Sequence, residues 1–138
     1  MEINIHTDGA SRGNPGPGSY GFIIETGEKK YQGSGFLGRV TNNVAEYNGA
    51  IRSLEQALTL ASKGDEIRLI SDSQLLINQL SGKWRIRDDK LKKLKKQIDS
   101  ILSKLAKRGV EVKFEKVERE DEGVKKADRL CNFVLDSI

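Results

Sequence analysis

The sequence predicts an α/β domain, a mixed sheet covered by helices. Three strand-like segments crowd the first forty residues, and stretches with apolar residues at helical spacing alternate with short apolar runs thereafter. No repeat, low-complexity tract or linker interrupts the chain, so residues 1–138 read as a single domain.

Taken in order, residues 2–8 alternate polar and apolar as a strand. SYGFIIET (19–26) and residues 30–37, separated by Gly27-Glu28-Lys29, read as a hairpin. From Asn43 to Ser62 the apolar residues recur at helical spacing. EIRLIS (66–71) is a short strand, followed by a helix through Gln79. Leu91, Leu94, Ile98, Ile101, Leu102 and Leu105 form the apolar stripe of a helix with lysines on its other face, and Gly109 ends it. VEVKFEKV (110–117) alternates as a last strand, and Val124–Ile138 closes the chain as a helix. The order is βββαβααβα.

Hydrophobic residues at 36% and charged residues at 32% fit a polar globular protein. The N-terminus, MEINIHTDG, lacks the basic region and apolar core of a signal peptide, and no apolar run approaches the roughly 20 residues that span a bilayer. A cytoplasmic monomer without an obligate protein partner is therefore expected. Cys131, the single cysteine, excludes an internal disulfide and a thiolate zinc cluster, and its place on an apolar stripe points to core packing. The net charge of +4 is unevenly spread: residues 83–108 hold eleven Lys and Arg against Asp88, Asp89 and Asp99, leaving +8 there and −4 on the rest. Such a segment either grips a polyanion or forms a solvated helix face.

Four carboxylates stand where carboxylates are usually avoided. Asp8 ends the first strand, as a turn-forming residue also would. Glu46 shares a helix face with Ala50, Leu54, Ala57 and Ala61, although Asn43 and Glu46 also stand at the spacing of a capping box. Asp72 follows a short strand and opens a helix, where it or its neighbours Ser71 and Ser73 can cap. The carboxyl end of a strand is also where open α/β sheets bind ligands. Asp128 lies in a 4-3-4-3 series with Val124, Cys131, Leu135 and Ile138, inside an apolar seam where a lone carboxylate needs a strong partner. Two unit charges about 4 Å apart repel by about 4 kcal/mol at an effective dielectric near 20. A cluster of the four would require divalent cations. Oxygen ligands without His or Cys select Mg²⁺ or Mn²⁺, and a two-metal site suits in-line attack of water on a phosphodiester.

TDGASRGNPGPGSYGF, TNNVAEYNGAI, SDSQLLINQL and KKADRLCN, in this order, resemble type 1 ribonucleases H across essentially the whole chain. The resemblance implies a five-stranded mixed sheet with the second strand antiparallel, flanked by helices. It implies endonucleolytic hydrolysis of the RNA strand of RNA/DNA hybrids, with two Mg²⁺ ions for which Mn²⁺ can substitute, leaving 5′-phosphate and 3′-hydroxyl ends. Asp8, Glu46, Asp72 and Asp128 would be both the catalytic and the metal-binding residues. Asn14, Asn42, Asn43 and Gln74 would contact the hybrid, with backbone near Ser11 and Arg12 close to the RNA and Thr41 holding a phosphate of the DNA strand.

Three departures stand out. The histidine that many members carry before the last helix is missing from VEREDEGVKKAD, where Arg119 is a candidate replacement. His6, the only histidine, reads as a strand residue. Val44 occupies a position where a phosphate-binding arginine is common, which predicts a weaker DNA-strand pocket or a cation from elsewhere. The basic protrusion of some bacterial members is absent, and GKWRIRDDKLKKLK (82–95) resembles the shorter version. Trp84 would either stack on a sugar or pack as a partly buried aromatic. The glycine-rich segment 6–22 lacks the spacing and lysine of a nucleotide-binding loop, and reads as a connection that presents Asp8. A duplex-binding module without catalysis, and a nuclease for DNA or junctions, are the rival readings.

Overall fold

The computed structural model describes residues 1–138. The elements are β1 (Glu2–Ser11), β2 (Gly16–Thr26), β3 (Lys29–Val40), α1 (Asn42–Leu60), β4 (Glu66–Ser71), α2 (Gln74–Leu80), α3 (Asp89–Lys107), β5 (Glu111–Lys116) and α4 (Glu122–Asp136). The five strands form one sheet in the order β3-β2-β1-β4-β5. β2 runs antiparallel to β1 and β3, whereas β4 runs parallel to β1 and β5 parallel to β4. The expected α/β class, element order and single antiparallel strand are all present.

The alternation in β1 separates two faces. Ile3, Ile5 and Thr7 are buried, and Thr7 lies under α1 at Gly49. β4 adds Ile67 and Leu69, both fully buried. α1 closes this face with Ala45, Ala50, Leu54 and Ala57, whose small side chains bring its axis near the sheet. α3 packs on α1 through Ile98, Ile101 and Leu105 and turns its lysines outward. Each large aliphatic side chain buried this way contributes about 1.5–3 kcal/mol.

α4 covers the opposite face. A Cβ on Gly21 of β2 would stand 2.6 Å from the Ala127 carbonyl oxygen, so only a glycine admits the helix at that distance. The Ser19 hydroxyl donates to the Cys131 carbonyl at 2.8 Å, and Cys131 is wholly buried, as its apolar stripe predicted.

Three local expectations are corrected. β1 does not stop at Asp8 but continues to Ser11, because β2 keeps pairing with it through Ser11↔Gly18. The parallel ladder with β4 ends at His6↔Ile70, so Asp8 lies past a strand end on that side only. Asn43 does not cap α1: the cap is Thr41, whose side chain accepts from the Val44 amide at 3.2 Å, so Asn43 and Glu46 form no capping box. Asp128 is exposed rather than sunk in the seam of α4. The buried stripe is Val124, Ala127, Cys131 and Leu135, and Ile138 lies beyond the helix, 66% exposed. At about 100° per residue, a step of four from Val124 carries Asp128 to the shoulder of this stripe.

The approach of α1 to β1 is set at Gly9. A Cβ there would overlap the Ala45 carbonyl carbon and the Glu46 amide nitrogen, backbone atoms that no rotamer change can move. Gly9→Ala is therefore expected to cost at least ~3 kcal/mol of stability, the upper range for overpacking. Chemical denaturation checks this, and a variant within 1 kcal/mol of the parent (about a fivefold change in the folding equilibrium) would contradict the packing.

Candidate active site

Four elements deliver four carboxylates to one end of the sheet. Asp8 comes from β1, just past its last pairing with β4. Asp72 follows β4 directly, and it is free because Ser73 caps α2 by accepting from the Leu76 amide at 3.2 Å. Glu46 lies in the second turn of α1, held against β1 by the contact at Gly9. One carboxylate oxygen each from Asp8, Glu46 and Asp72 lie within 4.8 Å of one another. Asp128 lines the same cleft from α4, outside that tight trio, and accepts a hydrogen bond from the Asn132 amide at 3.2 Å.

The cleft measures about 770 Å³, and Ser11, Asn42, Arg119 and Lys125 also line it. Asp8, Glu46 and Asp72 hold their protons unusually well. Burial, with repulsion from Asp72 and Asp128 behind it, pushes Asp8 up to about 7. Burial and then the charge of Asp8 hold Glu46 well above the carboxylate range. Asp72 is also raised by burial, with the Arg119 guanidinium opposing the rise. Arg119 thus faces the acidic cluster.

A divalent cation fits this donor set. The Glu46 Oε1 atom is buried and has no hydrogen-bond donor, because its neighbours are acceptors as well. Either a proton or a cation must stand between such oxygens. The trio is oxygen only, which suits Mg²⁺ or Mn²⁺ over zinc. Cys131 is buried in the core, its thiol pushed up by burial. His6 lies beneath α4, where its ring meets Gly123 and its Nε2 stands 3.4 Å from Asp121. Burial lowers its pKa. Neither residue lines the cleft.

The other candidates divide. The Ser11 amide donates to the Asn42 Oδ1 atom at 3.0 Å, and the Asn42 amide donates to the Asn14 Oδ1 atom at 3.0 Å. These bonds tie the β1–β2 loop to the start of α1. They also lead into a second cleft of about 690 Å³, lined by Asn14, Thr41, Asn43 and Val44 on one side and Arg85, Arg87 and Lys90 on the other. Val44 thus shares its cleft with Arg85 and Arg87 of the segment between α2 and α3 and with Lys90 at the start of α3. Gln74 is exposed at the start of α2, and Trp84 is 44% exposed; neither lines either cleft. Arg12 is engaged with Asp136 at 2.5 Å, at the end of α4.

A mixed sheet with one antiparallel strand, carrying acidic side chains where the pairing of β1 with β4 ends, defines the ribonuclease H class of fold. The RNase H family model matches residues 1–134, and the chain belongs to that family. A Mycobacterium tuberculosis protein described as bifunctional is 36% identical over 140 residues, covering 99% of this chain but 36% of its own length. Ribonuclease HI of Halobacterium salinarum is 38% identical over 103 residues, 73% of this chain and 51% of its own. The chain thus spans between about a third and a half of these relatives. Among solved structures, the N-terminal RNase H domain of the mycobacterial protein superposes with a TM-score of 0.86 at 34% identity, covering 99% of this chain and 100% of that one. LC11-RNase H1, solved in complex with an RNA/DNA hybrid, superposes with a TM-score of 0.84 at 31% identity, covering 98% of this chain and 97% of that one.

The folded chain holds a proton on Asp8 up to about pH 7, whereas an unfolded aspartate releases it near 3.8. Stability from this group is therefore fully present below about pH 4 and lost progressively as pH rises toward 7. In EDTA, Asp8→Asn is expected to melt above the parent at pH 8 and level with it near pH 4. His6 contributes equally to both chains and cancels. A parallel pH dependence in the two would refute the buried charge at Asp8.

Proposed function

We propose that residues 1–138 form a catalytic domain that hydrolyses the RNA strand of RNA/DNA hybrids endonucleolytically. The observation that carries this is the convergence of Asp8, Glu46 and Asp72 within 4.8 Å around the orphaned Glu46 oxygen, beside a second, cationic cleft. Asp8, Glu46, Asp72 and Asp128 would hold two divalent ions, Mg²⁺ or Mn²⁺. Such ions, when bound, lower the pKa of an attacking water and offset charge on the leaving 3′ oxygen, which yields 5′-phosphate and 3′-hydroxyl ends.

The protein groups then have separate tasks. The trio orients ligand oxygens along the wall where β1, α1 and β4 meet. Asp128 closes the site from α4, and Arg119 balances negative charge on the far side. Asn42, with Ser11 and Asn14, lays backbone and amide groups along the minor groove, where a 2′-hydroxyl distinguishes RNA from DNA. Thr41 and Asn43, opposite Arg85 and Arg87, take a phosphate of the uncut strand. The likeness to a structure bound to a hybrid supports this substrate over duplex DNA. A chain that only bound duplexes would gain nothing from repelling carboxylates next to phosphates.

Cleavage of matched RNA/DNA, RNA/RNA and DNA/DNA duplexes with Mg²⁺ or Mn²⁺ tests this reading. The hybrid is expected to be cut in its RNA strand, and Asp8→Asn to lose cleavage while still retarding the hybrid in a gel. Cleavage by Asp8→Asn at the parent rate would sink the assignment.

A further inference from the structure

The segment Ser81–Asp88 has no regular structure of its own, yet it carries the cations of the second cleft. Arg85, Arg87 and Lys90 take part in none of the ion pairs. Asp88 and Asp89 line the same wall, Asp88 accepting from the Leu91 amide at 3.0 Å as the cap of α3 and Asp89 lying 3.9 Å from Lys92. Three cations without an ion pair against two carboxylates leave a net positive wall, opposite Thr41 and Asn43.

Ile86 packs this exposed, irregular segment against the core, and a buried polar pair reaches its backbone at Arg85. The Tyr47 hydroxyl, on a side chain with no exposure at all, donates to the Gln79 Oε1 atom at 2.6 Å. The Gln79 Nε2 atom in turn donates to the Arg85 carbonyl at 3.4 Å. Burial pushes the Tyr47 hydroxyl up to about 12, so it remains a donor throughout the neutral range. That fixes the Gln79 amide with its oxygen toward α1 and its nitrogen toward the segment. The Asn78 carbonyl accepts from the Lys83 and Trp84 amides at 2.9 and 3.1 Å, clamping the near end of the segment. Two apolar side chains would fill the same volume with little loss of stability. The polar pair adds a fixed position for the Arg85 backbone.

We propose that Tyr47 and Gln79 are positioning residues for substrate: they hold the 81–88 segment so that Arg85 and Arg87 face Thr41 and Asn43 across the second cleft and together bind one phosphodiester of the uncut strand. The assignment rests on the nuclease reading above for its substrate, but not on catalysis for its test. A phosphate fixed there sets the register of the duplex relative to the carboxylate cluster. Loss of the pair leaves the cations present but unaimed.

The experiment is a double-mutant cycle on a fluorescein-labelled RNA/DNA hybrid, read as Kd in EDTA and as KM and kcat with Mg²⁺. Tyr47→Phe is expected to weaken binding about 5-fold, the worth of one net hydrogen bond, with the change in KM rather than kcat. Arg85→Ala/Arg87→Ala is expected to weaken it at least ~10-fold and to flatten the slope of log affinity against log salt by roughly 1–2. Tyr47→Phe added to that double variant should cost nothing further, because the aimed groups are gone. Tyr47→Phe/Gln79→Met removes both partners, so its melting temperature should stay within about 5 °C of the parent while its binding matches Tyr47→Phe. Additive losses, or unchanged binding in Tyr47→Phe, overturn the proposal. A parent that binds the hybrid without cutting it defeats the nuclease reading instead, and the cycle then judges the segment on Kd alone.

Discussion

Three carboxylate oxygens do not gather within 4.8 Å of one another unless something forces them together. At about 4 kcal/mol for each charged pair near 4 Å, their repulsion is comparable with the whole net stability of a small domain. The force comes from the sheet and α1. Ile3, Ile5, Ile67, Leu69 and Leu54 are buried completely, and they fix β1, β4 and α1 as one block whose ends carry Asp8, Asp72 and Glu46. Burial first, and this repulsion behind it, makes the side chains hold protons, which is why Asp8 is pushed up to about 7 and Glu46 well above its ordinary range. A divalent ion held by Asp8, Glu46 and Asp72 would take the place of those protons, and the repulsion within the cluster would then favour its binding.

Much of this is legible in the residues. Glu46 betrays itself by continuing the stripe Ala50, Leu54, Ala57, and those positions are indeed buried. Asp72 is ambiguous in sequence only because three neighbouring side chains can cap, and Ser73 proves to be the cap. Asp128 is harder. Spacings of four and of three both fit a helical stripe, so Val124 can be continued by Ala127 or by Asp128, and an alanine gives a weak hydrophobic signal. The end of β1 is hidden because glycine at position 9 looks like a turn, whereas here it serves a close helix contact. The bond from Tyr47 to Gln79 has no periodicity that a sequence can display, since it joins two helices through residues 32 positions apart.

The basic segment also resolves into parts with different fates. On α3, Lys95 is paired with Asp99 at 2.6 Å and Lys92 lies near Asp89, while Arg108 reaches back to the carbonyls of Leu58 and Ala61. Exposed pairs of this kind contribute little to stability. The charges left without partners toward the second cleft are those just before and at the start of α3, Arg85, Arg87 and Lys90. The lysines of α3 therefore form a solvated face, and only the stretch before it and its first turn direct cations toward the second cleft.

The contact at Gly9 has a further meaning. Backbone lying on backbone has no rotamers and little compressibility, so the gap between the strand bearing Asp8 and the helix bearing Glu46 acts as a gauge rather than a spring. A site built on side-chain contacts can breathe to admit ions of different radius. Here the backbone spacing of the inner wall is set by van der Waals radii, while Asp128 rides on α4 in solvent at the outer wall. An ion held here would therefore meet a backbone frame that does not yield, and a difference in ionic radius would have to be taken up by the carboxylate rotamers and by α4.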